Sequence, residues 1–223
     1  MKPFETLGEV TTPEGLRLSL HRRDQDYYLL LDGDELMSSR RPASEAALAT
    51  LACDRLPVTK RPRVLIGGLG FGYTLRAALD NLPAKSEVVV AELFPSVVEW
   101  NRHFLAEMQD QPLSDRRARI HDGDVRELFT EENRDRFDAI LLDVDNGPTA
   151  LCLQSNDRLY DERGLGRIKR TLSPGGILAV WSATPDSAFV KLLRKAGFTV
   201  STEEVRAYAG KGSRHTIFLA RSD

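Results

Sequence analysis

Cysteine is scarce in this sequence, which contains only Cys53 and Cys152. The two lie far apart along the chain and near no cluster of histidines, so no disulfide framework or cysteine metal site is expected. A chain of 223 residues buries roughly 70% of its unfolded surface, which is enough for stability without cross-links. We therefore expect a reduced, cytoplasmic setting.

Long apolar segments and an excess of one charge are also missing. No run approaches the ~20 residues that cross a bilayer, and residues 1–6 lack the apolar core of a secretion signal. The 31 basic residues are balanced by 33 acidic ones, whereas binding by phosphate neutralisation needs a basic excess. The four histidines stand at no ligand spacing. We expect no membrane association, no nucleic-acid binding and no metal.

The sequence begins with a small β-rich segment, residues 1–42. Residues 16–21 alternate apolar and polar side chains, and the apolar run 27–31 leads into Asp32 and Gly33. Alternation followed by an Asp-Gly turn predicts a β-hairpin.

A helix with Ser44 as its N-cap then opens the main domain, residues 43–223. Short, nearly all-apolar strands alternate there with amphipathic helices, which predicts a parallel sheet covered on both faces. The predicted strands are 64–66, 87–91, 118–120, 139–142 and 177–181, and the predicted helices are 73–82, 95–107, 124–130, 158–172 and 185–196. The last two strands, 198–205 and 215–220, have only a loop between them and should pair antiparallel. The predicted fold class is α/β, with a seven-stranded, mostly parallel Rossmann-like sheet.

A glycine-rich turn follows the first strand of this domain. Its glycines are Gly67, Gly68, Gly70 and Gly72. Glycine lets the backbone turn tightly and approach a ligand, and the following helix offers unpaired N–H groups at its N-terminus. The dinucleotide pattern G-x-G-x-x-G does not fit, because its third glycine would fall at Tyr73. The spacing G-x-G-x-G is typical of nucleoside-sulfonium sites, and the alternative is a tight turn without a ligand.

Acidic residues follow the next two strands. Glu92 ends strand 87–91, at a place where a carboxylate can accept hydrogen bonds from both hydroxyls of a ribose. Asp124 follows strand 118–120. It is placed either to accept a hydrogen bond from an adenine amino group or to cap the next helix.

Asp143 and Asp145 end the apolar strand 139–142. This strand end lies at the same edge of the sheet as the others, where open α/β folds bind ligands. Two carboxylates there could hold an ammonium group or take its proton, and their repulsion would raise one pKa. The alternative is an Asp cap followed by an Asn-Gly turn. Trp181, at another strand end, either packs in the core or touches substrate.

From the glycine turn through residues 174–178, the chain resembles the spermidine synthase (polyamine aminopropyltransferase) family, and residues 28–37 look like the final strands of that family's N-terminal domain. The resemblance implies the class I S-adenosylmethionine-dependent methyltransferase fold behind an N-terminal β-hairpin domain. It also implies an S-adenosyl co-substrate, either S-adenosylmethionine or its decarboxylated form, a small-molecule amine as the second substrate, and a homodimer.

The resemblance also assigns roles to residues. It implies that Glu92 binds ribose and that Asp124 with Val125 binds adenine. Asp143 or Asp145 would be the base and amine ligand. The complete candidate cofactor-binding set is Gly67, Gly68, Gly70, Gly72, Glu92, Leu93, Asp124 and Val125.

Two departures from the family bear on the reaction. The family's glycine loop holds an Asp that binds the amine of the decarboxylated co-substrate, whereas residues 68–72 contain no acid, which weakens selection for that form. The family's Tyr-His-Glu on the first helix is reduced here to Ala43, Ser44 and Glu45, so only Glu45 matches. We predict aminopropyl transfer to an amine. The alternatives are methyl transfer from intact S-adenosylmethionine and a non-catalytic nucleoside-binding protein.

Overall fold

The computed structural model describes residues 3–40, 42–57, 59–130, 136–144, 157–208 and 211–223. These residues form a four-stranded sheet followed by a seven-stranded sheet with helices on its faces. Within this part of the chain, no helix is both long enough and apolar enough to cross a bilayer.

The N-terminal sheet is larger than the predicted hairpin. Its strands are β1 (Glu5–Thr11), β2 (Arg17–Arg23), β3 (Asp26–Leu31) and β4 (Asp34–Ser38), paired antiparallel in chain order. Asp32 and Gly33 both have positive φ angles, 50° and 91°, which suit a tight two-residue hairpin turn between β3 and β4. The predicted turn is confirmed, and the predicted hairpin extends to a meander of four strands.

The first helix, α1 (Ala43–Cys53), starts two residues earlier than a cap at Ser44 would allow. Pro42 occupies the N-cap position with a φ of -78°, and no side chain caps the helix. Ser44 lies inside the first turn and is buried. The prediction of Ser44 as N-cap is therefore wrong, because the fixed φ of proline already suits a helix start.

The main sheet confirms the predicted fold class. Its strands are β5 (Arg63–Gly67), β6 (Glu87–Glu92), β7 (Ala118–Asp122), β8 (Phe137–Leu142), β9 (Leu172–Ser182), β10 (Phe198–Tyr208) and β11 (Lys211–Ser222). Their spatial order is β10-β11-β9-β8-β5-β6-β7. Strands β5 to β9 pair in parallel, whereas β11 is antiparallel to both β9 and β10.

The helices agree with the predicted positions but are shorter. They are α2 (Tyr73–Asn81), α3 (Pro95–His103), α4 (Asp157–Tyr160), α5 (Glu162–Thr171) and α6 (Ser187–Lys195). The predicted helix 124–130 is a single 3-10 turn, Val125–Leu128. The predicted helix 158–172 divides at Asp161, whose carboxylate accepts a hydrogen bond from the N–H of Gly164 at 2.6 Å and so caps α5.

Both faces of the main sheet are buried, as the apolar strands predict. Along β5, Val64 and Ile66 pack on the side of α1 to α3 and the N-terminal sheet, while Leu65 packs on the side of α5 and α6. Strand β5 has β6 on one side and β8 on the other. Successive strands are added on one side of β5 up to β7 and on its other side from β8 onward, so the strand order reverses here. Such a reversal leaves a crevice at the carboxyl ends of the strands.

Candidate active site at the carboxyl edge of the sheet

A cavity of about 170 Å³ lies at this crevice, between the carboxyl edge of the main sheet and the N-terminal sheet. The N-terminal sheet contributes an apolar wall of Leu18, Leu29, Leu31, Leu36 and Met37. The main domain contributes Glu45, Gly68, Gly70, Ala91, Glu92, Leu93, Phe94, Val97, Gly123, Asp124, Val125, Asp143, Val144 and Trp181. The cavity therefore joins parts of the molecule that are far apart in the sequence.

The glycine turn forms one side of the cavity. Gly68, Gly70 and Gly72 all have positive φ angles, of 87°, 51° and 82°, a conformation that favours glycine. A Cβ atom on Gly68 would lie 2.5 Å from the carbonyl oxygen of Asp143, so glycine is required for the two loops to approach each other. Gly67 ends β5 and Gly72 is the N-cap residue of α2, and neither residue lines the cavity.

Glu92 holds the glycine turn in place. One carboxylate oxygen, Oε2, accepts a hydrogen bond from the N–H of Leu69 at 2.8 Å, and Oε1 accepts one from the N–H of Phe94 at 3.0 Å. Burial raises the pKa of Glu92, although hydrogen bonds from the backbone N–H groups of Phe94 and Leu69 act to lower it. The backbone N–H groups of Gly70 and Leu93 act on the pKa in the same direction.

Asp124 is the N-cap of the 3-10 turn and also lines the cavity. Its carboxylate accepts a hydrogen bond from the N–H of Arg126 at 2.8 Å and pairs with the guanidinium of the same residue. Burial acts to raise the pKa of Asp124, but the hydrogen bonds from Arg126 outweigh it and the pKa is lowered. The capping alternative is thus observed, and the adenine role stays a prediction. Val125 and Leu93 line the cavity beside it.

Asp143 lies on the other side of the glycine turn, directly after β8. Its backbone N–H donates to the carbonyl of Gly67 at 3.0 Å, and its Oδ2 accepts from the hydroxyl of Thr74 at 3.2 Å. Burial raises the pKa of Asp143 to about 6, although the Thr74 hydrogen bond acts to lower it. A carboxyl with this pKa is ionised at neutral pH and is a stronger base than an ordinary aspartate. Asp145 lies outside the described residues, so the predicted pair of Asp143 and Asp145 stays a prediction.

The structure instead brings Glu45 of α1 to Asp143. The hydroxyl of Thr74 donates to the backbone carbonyl of Glu45 at 3.2 Å as well as to Asp143, and both acids line the cavity. Burial and the charge of Asp143 raise the pKa of Glu45 well above its ordinary value. Within the described residues, Oε2 of Glu45 is buried and has no hydrogen-bond partner. The sequence signal for Glu45 was its match to the Glu on the family's first helix.

Trp181, near the end of β9, lines the cavity on that side. Its ring stacks on that of His215 in the neighbouring β11, with centroids 4.8 Å apart. Its indole nitrogen is buried and finds no hydrogen-bond acceptor among the residues that the structure describes. Trp181 is therefore both a packing residue and part of the cavity wall.

Sequence reasoning missed the apolar wall from the N-terminal sheet. A Cβ atom on Gly70 would lie 2.5 Å from the sulfur of Met37, so β4 sits directly against the glycine turn. The hydroxyl of Tyr73 donates to the carbonyl of Ser39 at 3.0 Å and fixes this contact. Over the described ranges, no group of three or more His, Cys, Asp or Glu residues is arranged to hold a metal ion.

Comparison with known proteins finds relatives in sequence. A polyamine aminopropyltransferase of Prochlorococcus marinus is 31% identical over 131 residues, which are 58% of this chain and 44% of that protein. A polyamine aminopropyltransferase of Leptospira biflexa is 27% identical over 180 residues, which are 79% of this chain and 54% of that protein. This chain thus spans about half the length of the curated relatives it matches. No protein-family model matches it.

Solved structures confirm the fold. A spermidine synthase in complex with the transition state analogue AdoDATO matches with a TM-score of 0.75 at 19% identity, over 98% of this chain and 72% of the other. The spermidine synthase of Thermotoga maritima matches with a TM-score of 0.76, also at 19% identity, over 98% of this chain and 73% of the other. The chain therefore resembles polyamine aminopropyltransferases in sequence and shares the fold of spermidine synthases, as predicted.

Proposed function

We propose that this chain is a transferase that binds an S-adenosyl nucleoside and transfers its aminopropyl group to a small amine. The observation that carries the proposal is the position of Asp143, a carboxyl with a pKa of about 6, in one cavity with the glycine turn and Glu92. The curated relatives named polyamine aminopropyltransferase support it.

The nucleoside occupies the part of the cavity over β5, β6 and β7 in this proposal. The carboxylate of Glu92 accepts hydrogen bonds from the ribose hydroxyls, and Asp124 with Val125 and Leu93 surrounds the adenine. The glycine turn allows the nucleoside to approach the backbone closely. These side chains are held by hydrogen bonds or packing before any ligand arrives, so little reorganisation is needed.

Asp143 removes a proton from the attacking amine in the proposed reaction. The nitrogen forms a bond to the aminopropyl carbon, the bond from that carbon to sulfur breaks, and methylthioadenosine leaves with the bonding electrons. The sulfonium charge makes this leaving group a good one, so the protein contributes mainly alignment and proton removal. Glu45, beside Asp143, is placed to bind the cationic nitrogen before it loses its proton.

Methyl transfer is the second candidate, and the glycine turn favours it. Positions 69 and 71 are Leu and Phe, both buried, so this turn provides no acid to select the decarboxylated co-substrate. The purified protein should be incubated with each form of S-adenosylmethionine and a panel of amines. Release of methylthioadenosine supports the proposal, and release of S-adenosylhomocysteine supports methyl transfer. Tight nucleoside binding in calorimetry without either product would show a non-catalytic binding protein.

Three further expectations belong to this proposal. Sedimentation tests whether the chain forms a homodimer. Cell fractionation tests whether it lies in the cytoplasm, and limited proteolysis tests the domain boundary between residues 42 and 43.

A further inference from the structure

The two sides of the cavity differ in how far the polar groups that line them are hydrogen-bonded. On the side of β5, β6 and β7, Glu92 and Asp124 both accept hydrogen bonds from the protein itself. On the side of β8, β9 and α1 are Asp143, Glu45 and Trp181. If the nucleoside lies over the glycine turn, the second side is where its reaction partner must bind.

Among the described residues, this second side holds an unpaired hydrogen-bond acceptor and an unpaired donor. Oε2 of Glu45 and the indole N–H of Trp181 are both buried without a hydrogen-bond partner in the described part of the chain. A buried polar group without a partner is costly and calls for an explanation, such as a ligand. The indole N–H can only donate, so its partner must be an acceptor atom.

We propose, resting on the function proposed above, that the amine substrate carries an oxygen atom that accepts a hydrogen bond from the indole N–H of Trp181. Its cationic nitrogen lies between Glu45 and Asp143. Its carbon chain contacts the apolar wall that includes Leu36 and Met37. The substrate class is therefore an amino alcohol, amino amide or amino acid, and Trp181 determines the specificity.

A plain diamine fits this side less well. A second ammonium group has hydrogen-bond donors but no acceptor, so it would leave the indole N–H of Trp181 unpaired. It would also need a second carboxylate, whereas Glu92 and Asp124 are already bound by backbone N–H groups and Arg126. An oxygen at the far end of the substrate's carbon chain would give this N–H an acceptor.

The test is calorimetric binding to the protein saturated with methylthioadenosine. The reference ligand is butylamine. It is compared with three ligands that have the same four-carbon chain and carry a hydroxyl, a second amine or a carboxylate at the far end, and then with amino alcohols of shorter and longer chains. We expect at least one oxygen-bearing amine to bind about fivefold more tightly than butylamine, a typical effect of one neutral hydrogen bond. The hydroxyl and carboxylate ligands distinguish the two sources of the oxygen. Equal affinity of butylamine and every oxygen-bearing ligand would overturn the inference.

Trp181→Phe is the matched variant, because it keeps an aromatic ring beside His215 while it removes the N–H donor together with part of the ring volume. We expect it to abolish the preference for the oxygen-bearing amine while leaving the affinity for butylamine and methylthioadenosine within about twofold. A preference that survives in Trp181→Phe contradicts the assignment.

The two indole N–H signals in a proton–nitrogen spectrum provide a readout that does not depend on turnover. The chain has two tryptophans, so Trp181→Phe identifies the signal of Trp181, and that of Trp100 is the internal control. The chemical shift of the Trp181 N–H should change on addition of the oxygen-bearing amine and should not change on addition of butylamine. If methylthioadenosine itself fails to bind, the proposed function fails. If it binds but the signal of Trp181 does not respond to any oxygen-bearing amine, only this inference fails.

Discussion

The two sides of the cavity treat their carboxyl groups in opposite ways. Glu92 and Asp124, near the glycine turn, accept hydrogen bonds from N–H groups of the protein. Asp143 and Glu45, across the turn, receive much less from the protein: Oδ2 of Asp143 accepts from one shared hydroxyl, and Oε2 of Glu45 accepts from nothing among the described residues. Hydrogen bonds lower the pKa of Asp124 overall, whereas burial raises those of Glu92, Asp143 and Glu45.

This difference indicates a division of work between the two sides. Acids that are bound by N–H groups of the protein shape a rigid surface. Acids that are buried with few partners keep a raised pKa, which suits a proton acceptor and leaves lone pairs for a cationic ligand. Each of the following predictions compares one residue from each side, or one residue with a matched control.

The largest expected effect is on turnover. Asp143→Asn should lower kcat by about 100-fold to 10,000-fold, because it removes the proton acceptor. Its affinity for the nucleoside should stay within about threefold of wild type. Asp124→Asn should do the reverse and weaken nucleoside binding with little change in kcat. Steady-state kinetics and calorimetry check both variants, and equal kcat in Asp143→Asn and wild type would remove Asp143 from the mechanism.

Stability should distinguish Glu92 from Glu45. Glu92→Ala leaves the N–H groups of Leu69 and Phe94 unpaired, so we expect the free energy of unfolding to fall by about 2–4 kcal/mol. Glu45→Gln should not lower it and should raise it at neutral pH, because Oε2 of Glu45 has no partner to lose among the described residues and the change removes a buried carboxyl whose pKa is raised. Denaturant titration measures both, and a larger loss in Glu45→Gln would contradict the proposed division.

The close approach at the glycine turn has a control outside the cavity. Gly68 and Gly15 have nearly the same φ, 87° and 85°, but a Cβ on Gly68 would lie 2.5 Å from a backbone oxygen, whereas a Cβ on Gly15 would meet nothing within 4 Å. We expect Gly15→Ala to cost about 1 kcal/mol of stability, the price of the strained conformation alone. Gly68→Ala should cost about 2–4 kcal/mol because the clash adds to the strain. Similar losses in thermal unfolding would show that the two loops are not in contact.

The smallest effect is on the pH dependence of stability, and its sign should differ between Asp143 and Asp124. The pKa of Asp143 rises from its ordinary value of 3.8 to about 6, so the folded state binds more protons between these values. The contribution of Asp143 to the free energy of unfolding therefore falls by about 1–3 kcal/mol as the pH rises through the range between these two pKa values.

Asp124 should act in the opposite direction, because its lowered pKa makes the folded state bind fewer protons than the unfolded state. Asp143→Asn should raise stability at neutral pH relative to acid pH, and Asp124→Asn should lower it. Unfolding measured from about pH 4 to pH 7 gives both slopes. The same sign in both variants would show that the two carboxyls share one environment.

Local patterns predicted most of the architecture. Apolar runs such as 87–91 and 139–142 gave the buried parallel strands, because strands covered on both faces lack alternation. The helix boundaries were less accurate, since capping by Asp161 and Pro42 competes with the helical period.

The sequence by itself determined that a glycine turn and acids at strand ends meet at one edge of a parallel sheet, because chain direction and period are local properties. The tertiary structure alone decided that Glu45 lies beside Asp143, that Met37 contacts Gly70, and that the N–H of Trp181 is buried without a partner among the described residues. These relations join elements distant in the chain, and they depend on how helix α1 and the N-terminal sheet pack on the main sheet. Packing of this kind depends on the fit of many side chains at once. The hydrophobic periodicity of a segment predicts its secondary structure but not this fit.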